Sequence, residues 1–154
     1  MAHSLYVDGA SSGNPGAAGA GLVILDEAGR ELFRDSIFLG HMTNNMAEYE
    51  ALLRGLDKAK KMGLRMVKVF TDSELVARQV SGKYRVRDEK LRVYVLHAHD
   101  LARNFKQFTL HHIPREQNRI ADRLAKEAIK ARGRRVAAPL NGEESPDIVG
   151  QDGP

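Results

Sequence analysis

Residues 4–16 read SLYVDGASSGNPG: a short apolar run, one aspartate, then eight residues drawn only from Gly, Ala, Ser, Asn and Pro. Leu5-Tyr6-Val7 has the composition of a buried strand, and the small residues after it have the composition of a turn. The first strand therefore delivers a single carboxylate, Asp8, to the lip of a glycine-rich turn. A fold that begins this way must bring partners to Asp8 from elsewhere in the chain, or leave it as an ordinary turn residue.

The pattern that follows restricts the architecture. AGLVILDEAGRELFRDSIFLG holds two β-rich runs joined by Asp26-Glu27-Ala28-Gly29, a hairpin signal, so three antiparallel strands come before any helix. TNNMAEYEALLRGLDKAKKMG reads as a long helix with Thr43 or Asn44 as N-cap and Gly63 as the C-terminal stop. MVKVF (66–70) is a short buried strand ending at Thr71-Asp72-Ser73, where a second helix, ELVARQVSG, begins. The loop KYRVRD leads to a third helix from about residue 88 to 105, with a stripe at Leu91, Tyr94/Val95, Ala98, Leu101/Ala102 and Phe105. QFTLHHI (107–113) is a fifth strand, broken by Pro114, and EQNRIADRLAKEAIKA is the last helix. The expectation is an α/β fold: a five-stranded mixed sheet flanked by helices, in the order β-β-β-α-β-α-α-β-α. In open sheets of this kind ligands gather beyond the carboxyl ends of strands.

Periodicity ends near residue 132. The reading is one domain over 1–132 and a disordered tail over 133–154, basic first and then acidic. The chain has no cysteine, which excludes disulfides and thiolate metal sites. It also has no leader-like start and no long apolar run, so the expectation is a cytoplasmic protein with no membrane segment and no obligate protein partner, as a monomer. Residues 136–154 hold four acids and no Lys or Arg. The remainder carries 24 basic against 16 acidic residues, a net +8 that suits a polyanionic partner.

Four acids sit where a sheet edge can collect them: Asp8 after the first strand, Glu48 early in the first long helix, Asp72 after the fourth strand and Asp122 in the last helix. Each has a plainer reading, since Asp8 can open a turn and Asp72 can cap a helix. Glu48 is more informative. By helical geometry it falls about 75° from the centre of the stripe Tyr49, Leu52, Leu53, Leu56, Ala59, whereas Glu50 falls about 125° away and is read as solvated. Clustered carboxylates repel unless a hard cation neutralises them, and oxygen-only ligation points to Mg²⁺ or Mn²⁺. A pair of such ions serves phosphodiester displacement, so a basic chain with these acids reads as a nuclease or phosphoryl-transfer enzyme.

Taken together, LYVDGASSGNPGAAGAG, TNNMAEYEALLRGL, VFTDSELV and HHIPREQNRIADRLAKEA resemble the four signature segments of ribonuclease H type I, in the family's order, across residues 4–131. The resemblance implies the ribonuclease H-like fold and an endoribonuclease that cuts the RNA strand of RNA–DNA hybrids, leaving 3′-hydroxyl and 5′-phosphate ends. It implies two Mg²⁺ or Mn²⁺ ions per site with substrate, bound by Asp8, Glu48, Asp72 and Asp122. It places His112 at the family's proton-transfer or product-release histidine. It also makes Gly9, Ala10, Ser11, Ser12 and Asn14, with Asn44 and Asn45, substrate-facing, and Thr43 a contact to a DNA phosphate. His111 points the other way along its strand, and His97 and His99 lie off the apolar stripe and are read as solvated. Glu116 is an alternative gate for the second ion or a plain helix-start acid. Many bacterial members carry an extra basic, tryptophan-containing helix that is replaced here by GKYRVRDEKL, leaving Lys83 and Arg85, with Arg87 and Lys90, as a smaller basic grip. The competing readings are a nuclease of the same fold with altered preference, for RNA–RNA or junctions, and a non-catalytic nucleic-acid-binding module.

Overall fold

The computed structural model describes residues 2–132. The tail expected over 133–154 lies outside the described residues. Five strands form one sheet: β1 (His3–Ser11), β2 (Gly16–Leu25), β3 (Glu31–Met42), β4 (Met66–Thr71) and β5 (Gln107–His112). Their order in the sheet is β3-β2-β1-β4-β5, with β1–β3 antiparallel and β4 and β5 added in parallel. The helices are α1 (Asn44–Lys61), α2 (Glu74–Val80), α3 (Glu89–Ala102) and α4 (Arg119–Lys130). This is the element order and the mixed sheet read from the sequence.

Local signals behave as their chemistry requires. Asp26 closes the β2–β3 turn by accepting from the backbone N–H groups of Ala28 and Arg30, and Gly29 supplies a positive φ of 84°. Thr43 Oγ1 accepts from Met46 N–H at 3.2 Å and caps α1, while Gly63 at φ 77° ends it. The main core lies between the sheet and α1, α2 and α3, with Leu5, Val7, Leu22, Ile24, Leu52, Leu56, Val67 and Val69 fully buried. The other side of β2 is covered by α4. There a side chain on Gly21 would come within 2.1 Å of Ala121 O, so the helix backbone lies directly on the strand. Among the described residues no helix is long and apolar enough to cross a membrane.

Three local expectations need correction. Asp8 does not end the first strand: β1 runs three residues further, and Gly9, Ala10 and Ser11 pair with Ala20, Gly19 and Ala18 of β2. Small residues make strand here because β2 opposite them is just as small, so two bare backbones can pair beneath a helix. Nor does the last helix run unbroken from Glu116. A 3₁₀ turn (Arg115–Gln117) comes first, and Asn118, at φ −121° and ψ 33°, separates it from α4. Glu50 is not solvated: it pairs with Arg54 at 3.1 Å and accepts from Tyr94 OH at 2.8 Å. His99 is exposed, as expected, and its Nε2 also lies 2.8 Å from Val80 O.

Candidate active site

The ladder between β1 and β4 stops at Val7 opposite Thr71. From Asp8 onward β1 is paired only with β2, so the sheet forks. Asp8 stands on one arm, and Asp72 directly follows Thr71 on the other. This is the place where an open sheet presents a crevice.

Glu48 reaches the fork because α1 starts against β1. A Cβ on Gly9 would lie 2.2 Å from the carbonyl carbon and oxygen of Ala47, closer than any real side chain tolerates. Glycine therefore lets the first turns of α1 touch the strand, and Gly9 N–H donates to Glu48 Oε1 at 2.9 Å. Asp72 is held by the turn into α2. Ser73, not Asp72, caps that helix by accepting from Val76 N–H, which leaves Asp72 Oδ2 buried with no protein partner. Asp122 comes from the first turn of α4, with its N–H donating to Asn118 O, its Oδ2 3.2 Å from Lys126 Nζ, and its Oδ1 buried and unpartnered.

Oxygens of Asp8, Glu48 and Asp72 all lie within 4.8 Å of one another. Asp122 is outside that trio but near enough to help raise the Asp8 carboxyl, as Asp72 does. Asp8 is 3% exposed and Glu48 8%. Burial first, then the negative charges of Glu48 and Asp72, push the Asp8 carboxyl up to about 10. Burial also drives Glu48 up, to about 8, and Asp72 adds to this, while the Gly9 N–H and the Arg115 guanidinium pull it back. Without a cation, Asp8 and Glu48 thus hold their protons to higher pH than carboxylates ordinarily do. Crowded hard oxygens, two of them buried without a partner, fit a divalent cation and no softer metal.

The remaining sequence-derived candidates differ in exposure and in the partners they make. His112 is exposed at the end of β5, opposite Thr71 in the parallel ladder and so one residue from Asp72 in register. Its neighbour His111 instead stacks on Phe70, with Nε2 2.9 Å from Thr109 Oγ1. Ser12 and Asn14 are exposed in the β1–β2 loop, whereas Ala10 and Ser11 are half-buried strand residues. Gly9 is buried with its N–H already engaged, so it serves as scaffold for Glu48 rather than as an open contact. Asn14 Oδ1 accepts from Asn44 N–H at 3.1 Å, tying the loop to the start of α1, and Asn44 and Asn45 are exposed there. Thr43 uses its oxygen as the α1 cap. Lys83 and Arg85 are exposed in the α2–α3 loop, and Glu116 is exposed in the 3₁₀ turn.

Two residues escaped sequence reasoning. Arg115, read only as part of a loop, carries its charge to Glu48. Asn118, read as helix, is 1% exposed and donates from Nδ2 to Val7 O at 2.9 Å. The only sequence signal for Asn118 was an Asn at a helix start, which ordinarily means a cap.

Comparison with known proteins places this arrangement. A family model described as reverse transcriptase-like matches residues 6–128. Ribonuclease HI of Halobacterium salinarum is 38% identical over 124 residues, covering 80% of this chain and 62% of that protein. A bifunctional protein of Mycobacterium tuberculosis is 38% identical over 97% of this chain, but the chain spans only 43% of its length. Among solved structures, ribonuclease H1 of H. salinarum superposes with a TM-score of 0.83 at 36% identity, covering 84% of this chain and 98% of that one. A ribonuclease H1 solved in complex with an RNA/DNA hybrid gives 0.79 at 40% identity, covering 83% and 96%.

Proposed function

Because the chain belongs to the ribonuclease H family, in its reverse transcriptase-like group, we propose that it is an endoribonuclease cutting the RNA strand of RNA–DNA hybrids with Mg²⁺ or Mn²⁺. The observation that carries this is the trio Asp8, Glu48 and Asp72, with oxygens within 4.8 Å of one another and Asp122 beside them. Such a buried cluster of like charges is costly as pure scaffold and is suited to hold divalent ions. Asp8, Glu48, Asp72 and Asp122 would hold the ions, which when bound supply activation of the attacking water and charge neutralisation at the leaving oxygen.

The chain's own groups do the rest. Gly9 N–H fixes the Glu48 carboxylate so that it need not reorganise during the reaction. His112, exposed and one residue from Asp72 in register, is placed to exchange a proton with the leaving 3′-oxygen or to ease product departure. On the RNA side, Ser12 and Asn14 of the exposed β1–β2 loop, with Asn44 and Asn45 alongside, offer hydroxyl and amide groups that can test for a ribose 2′-hydroxyl or a base edge. On the DNA side stands Thr43 at the α1 N-terminus, where backbone N–H groups favour phosphate. Lys83 and Arg85 extend the basic grip. We propose that the protein acts as a monomer.

Cleavage of end-labelled RNA–DNA, RNA–RNA and DNA–DNA duplexes in Mg²⁺, in Mn²⁺ and in EDTA tests the proposal. The expected result is metal-dependent cutting of the RNA in the hybrid alone. Binding without cutting in either metal would establish a non-catalytic module, and equal cutting of RNA–RNA would establish an altered preference.

A further inference from the structure

We propose that Asn118 is a positioning residue that sets the placement of Asp122 against Asp8, and so the strength of the metal site on that side. Asn118 occupies the cap position of α4, yet its side chain makes no cap. Its Nδ2 instead donates to Val7 O at 2.9 Å, across 111 residues of chain, at 1% exposure. Val7 immediately precedes Asp8, and Asn118 O accepts from Asp122 N–H at 3.0 Å. One buried residue thus links the backbone beside one carboxylate to the backbone of another.

The linkage is specific in direction. An Asn amide has a donor end and an acceptor end, and turning it over would set Oδ1 against the Val7 carbonyl, two acceptors face to face. Its actual Oδ1 is buried and has no protein partner. A residue present merely to start a helix would use that oxygen to cap it. The α4 start forgoes its cap so that Asn118 can grip β1 at the point where β1 and β4 part. Without that grip, the helix that carries Asp122 is free to shift along the sheet by the few tenths of an ångström that metal ligation does not tolerate.

The proposal rests on the metal reading of the four acids, and the experiment separates the two. Asn118→Ser is the informative variant, because serine is a good cap for α4 but is too short to reach Val7 O. Mn²⁺ binding to the full chain is measured by titration calorimetry, beside melting temperature and the kcat and KM for an RNA–DNA hybrid. Asn118→Ser is expected to weaken Mn²⁺ binding by about tenfold and to lower kcat similarly, with KM unchanged. In an Asp122→Asn background the same substitution is expected to change Mn²⁺ affinity by less than about twofold, since the ligand it acts through is gone. A lowered melting temperature with Mn²⁺ affinity within about twofold of the unsubstituted chain overturns the proposal, as does an undiminished effect beside Asp122→Asn. If Asn118→Ser does not fold, Asn118→Ala is judged by the same criteria, and failure of both to fold overturns it in favour of a purely structural residue. Absence of Mn²⁺ binding by the unsubstituted chain overturns the metal reading, and this inference with it.

Discussion

Replacing Asp8 by Asn should make the metal-free protein more stable, and by an amount that depends on pH. Burial and the charges of Glu48 and Asp72 push the Asp8 carboxyl from its ordinary 3.8 up to about 10. A raised acid stabilises the fold fully below its unfolded value, and that contribution is lost as pH rises toward the folded value. At pH 7 the folded chain holds a proton across about three units in which the unfolded chain has released it. At about 1.4 kcal/mol per unit this costs about 4 kcal/mol of stability. Because Glu48, Asp72 and Asp122 all contribute to raising Asp8, part of that cost belongs to the cluster and survives the substitution. Taking half gives ~2 kcal/mol, or ~6 °C in melting temperature for a domain of this size.

Asparagine keeps the volume and a donor for the neighbouring oxygens, so packing is preserved while the charge is removed. Thermal unfolding followed by circular dichroism in EDTA, at pH 4 and at pH 8, measures the effect. The expected outcome is a clear gain for Asp8→Asn at pH 8 that shrinks toward nothing at pH 4. Adding Mn²⁺ should then raise the melting temperature of the unsubstituted chain and close the gap. A variant that melts at or below the unsubstituted chain at pH 8, or whose advantage is equal at both pH values, would refute the reasoning.

Gly9→Ala should be among the most damaging single-methyl changes in the chain, because its Cβ would lie 2.2 Å from Ala47 C; a loss of about 3 kcal/mol in urea unfolding is expected, with Glu48 displaced and activity lost. His112→Ala should lower kcat by about 10²-fold with little change in KM, since the residue is exposed at the strand end and supports no packing; steady-state kinetics on a hybrid decide. Removing Lys83 and Arg85 together should raise KM and reduce the slope of log affinity against log salt by ~1–2, as read from fluorescence anisotropy with a labelled hybrid in EDTA.

The fold was legible because its elements are marked at their ends. Asp26 to Gly29 closes the hairpin, Thr43 and Gly63 bound α1, and Pro114 stops β5. That Asp8, Glu48 and Asp72 meet was legible through their positions relative to those elements. What could not be read was how far the first strand runs, because residues 9–11 carry no apolar side chains and become strand only when β2 presents an equally bare edge. The partner of Glu50 was hidden for a related reason: Tyr94 comes from an element remote in the chain, and helical phase alone assigns a polar residue to solvent when no neighbour is known.

Gly9 and Asn118 sharpen the same point at the site itself. Each looked local, a glycine in a turn and an asparagine at a helix start, and each is used over a long range. Gly9 gives up its side chain so that α1 can lie on β1 and bring Glu48 to its own N–H. Asn118 gives up its cap so that α4 is held at Val7. The two contacts fall on β1 at residues 7 and 9, on either side of Asp8. Asp8 itself cannot hold its neighbours in place, since every acid near it is repelled once ionised. The cluster is assembled by neutral backbone and amide groups bracketing it, which is why its geometry can persist whether its charges are balanced by protons or by cations.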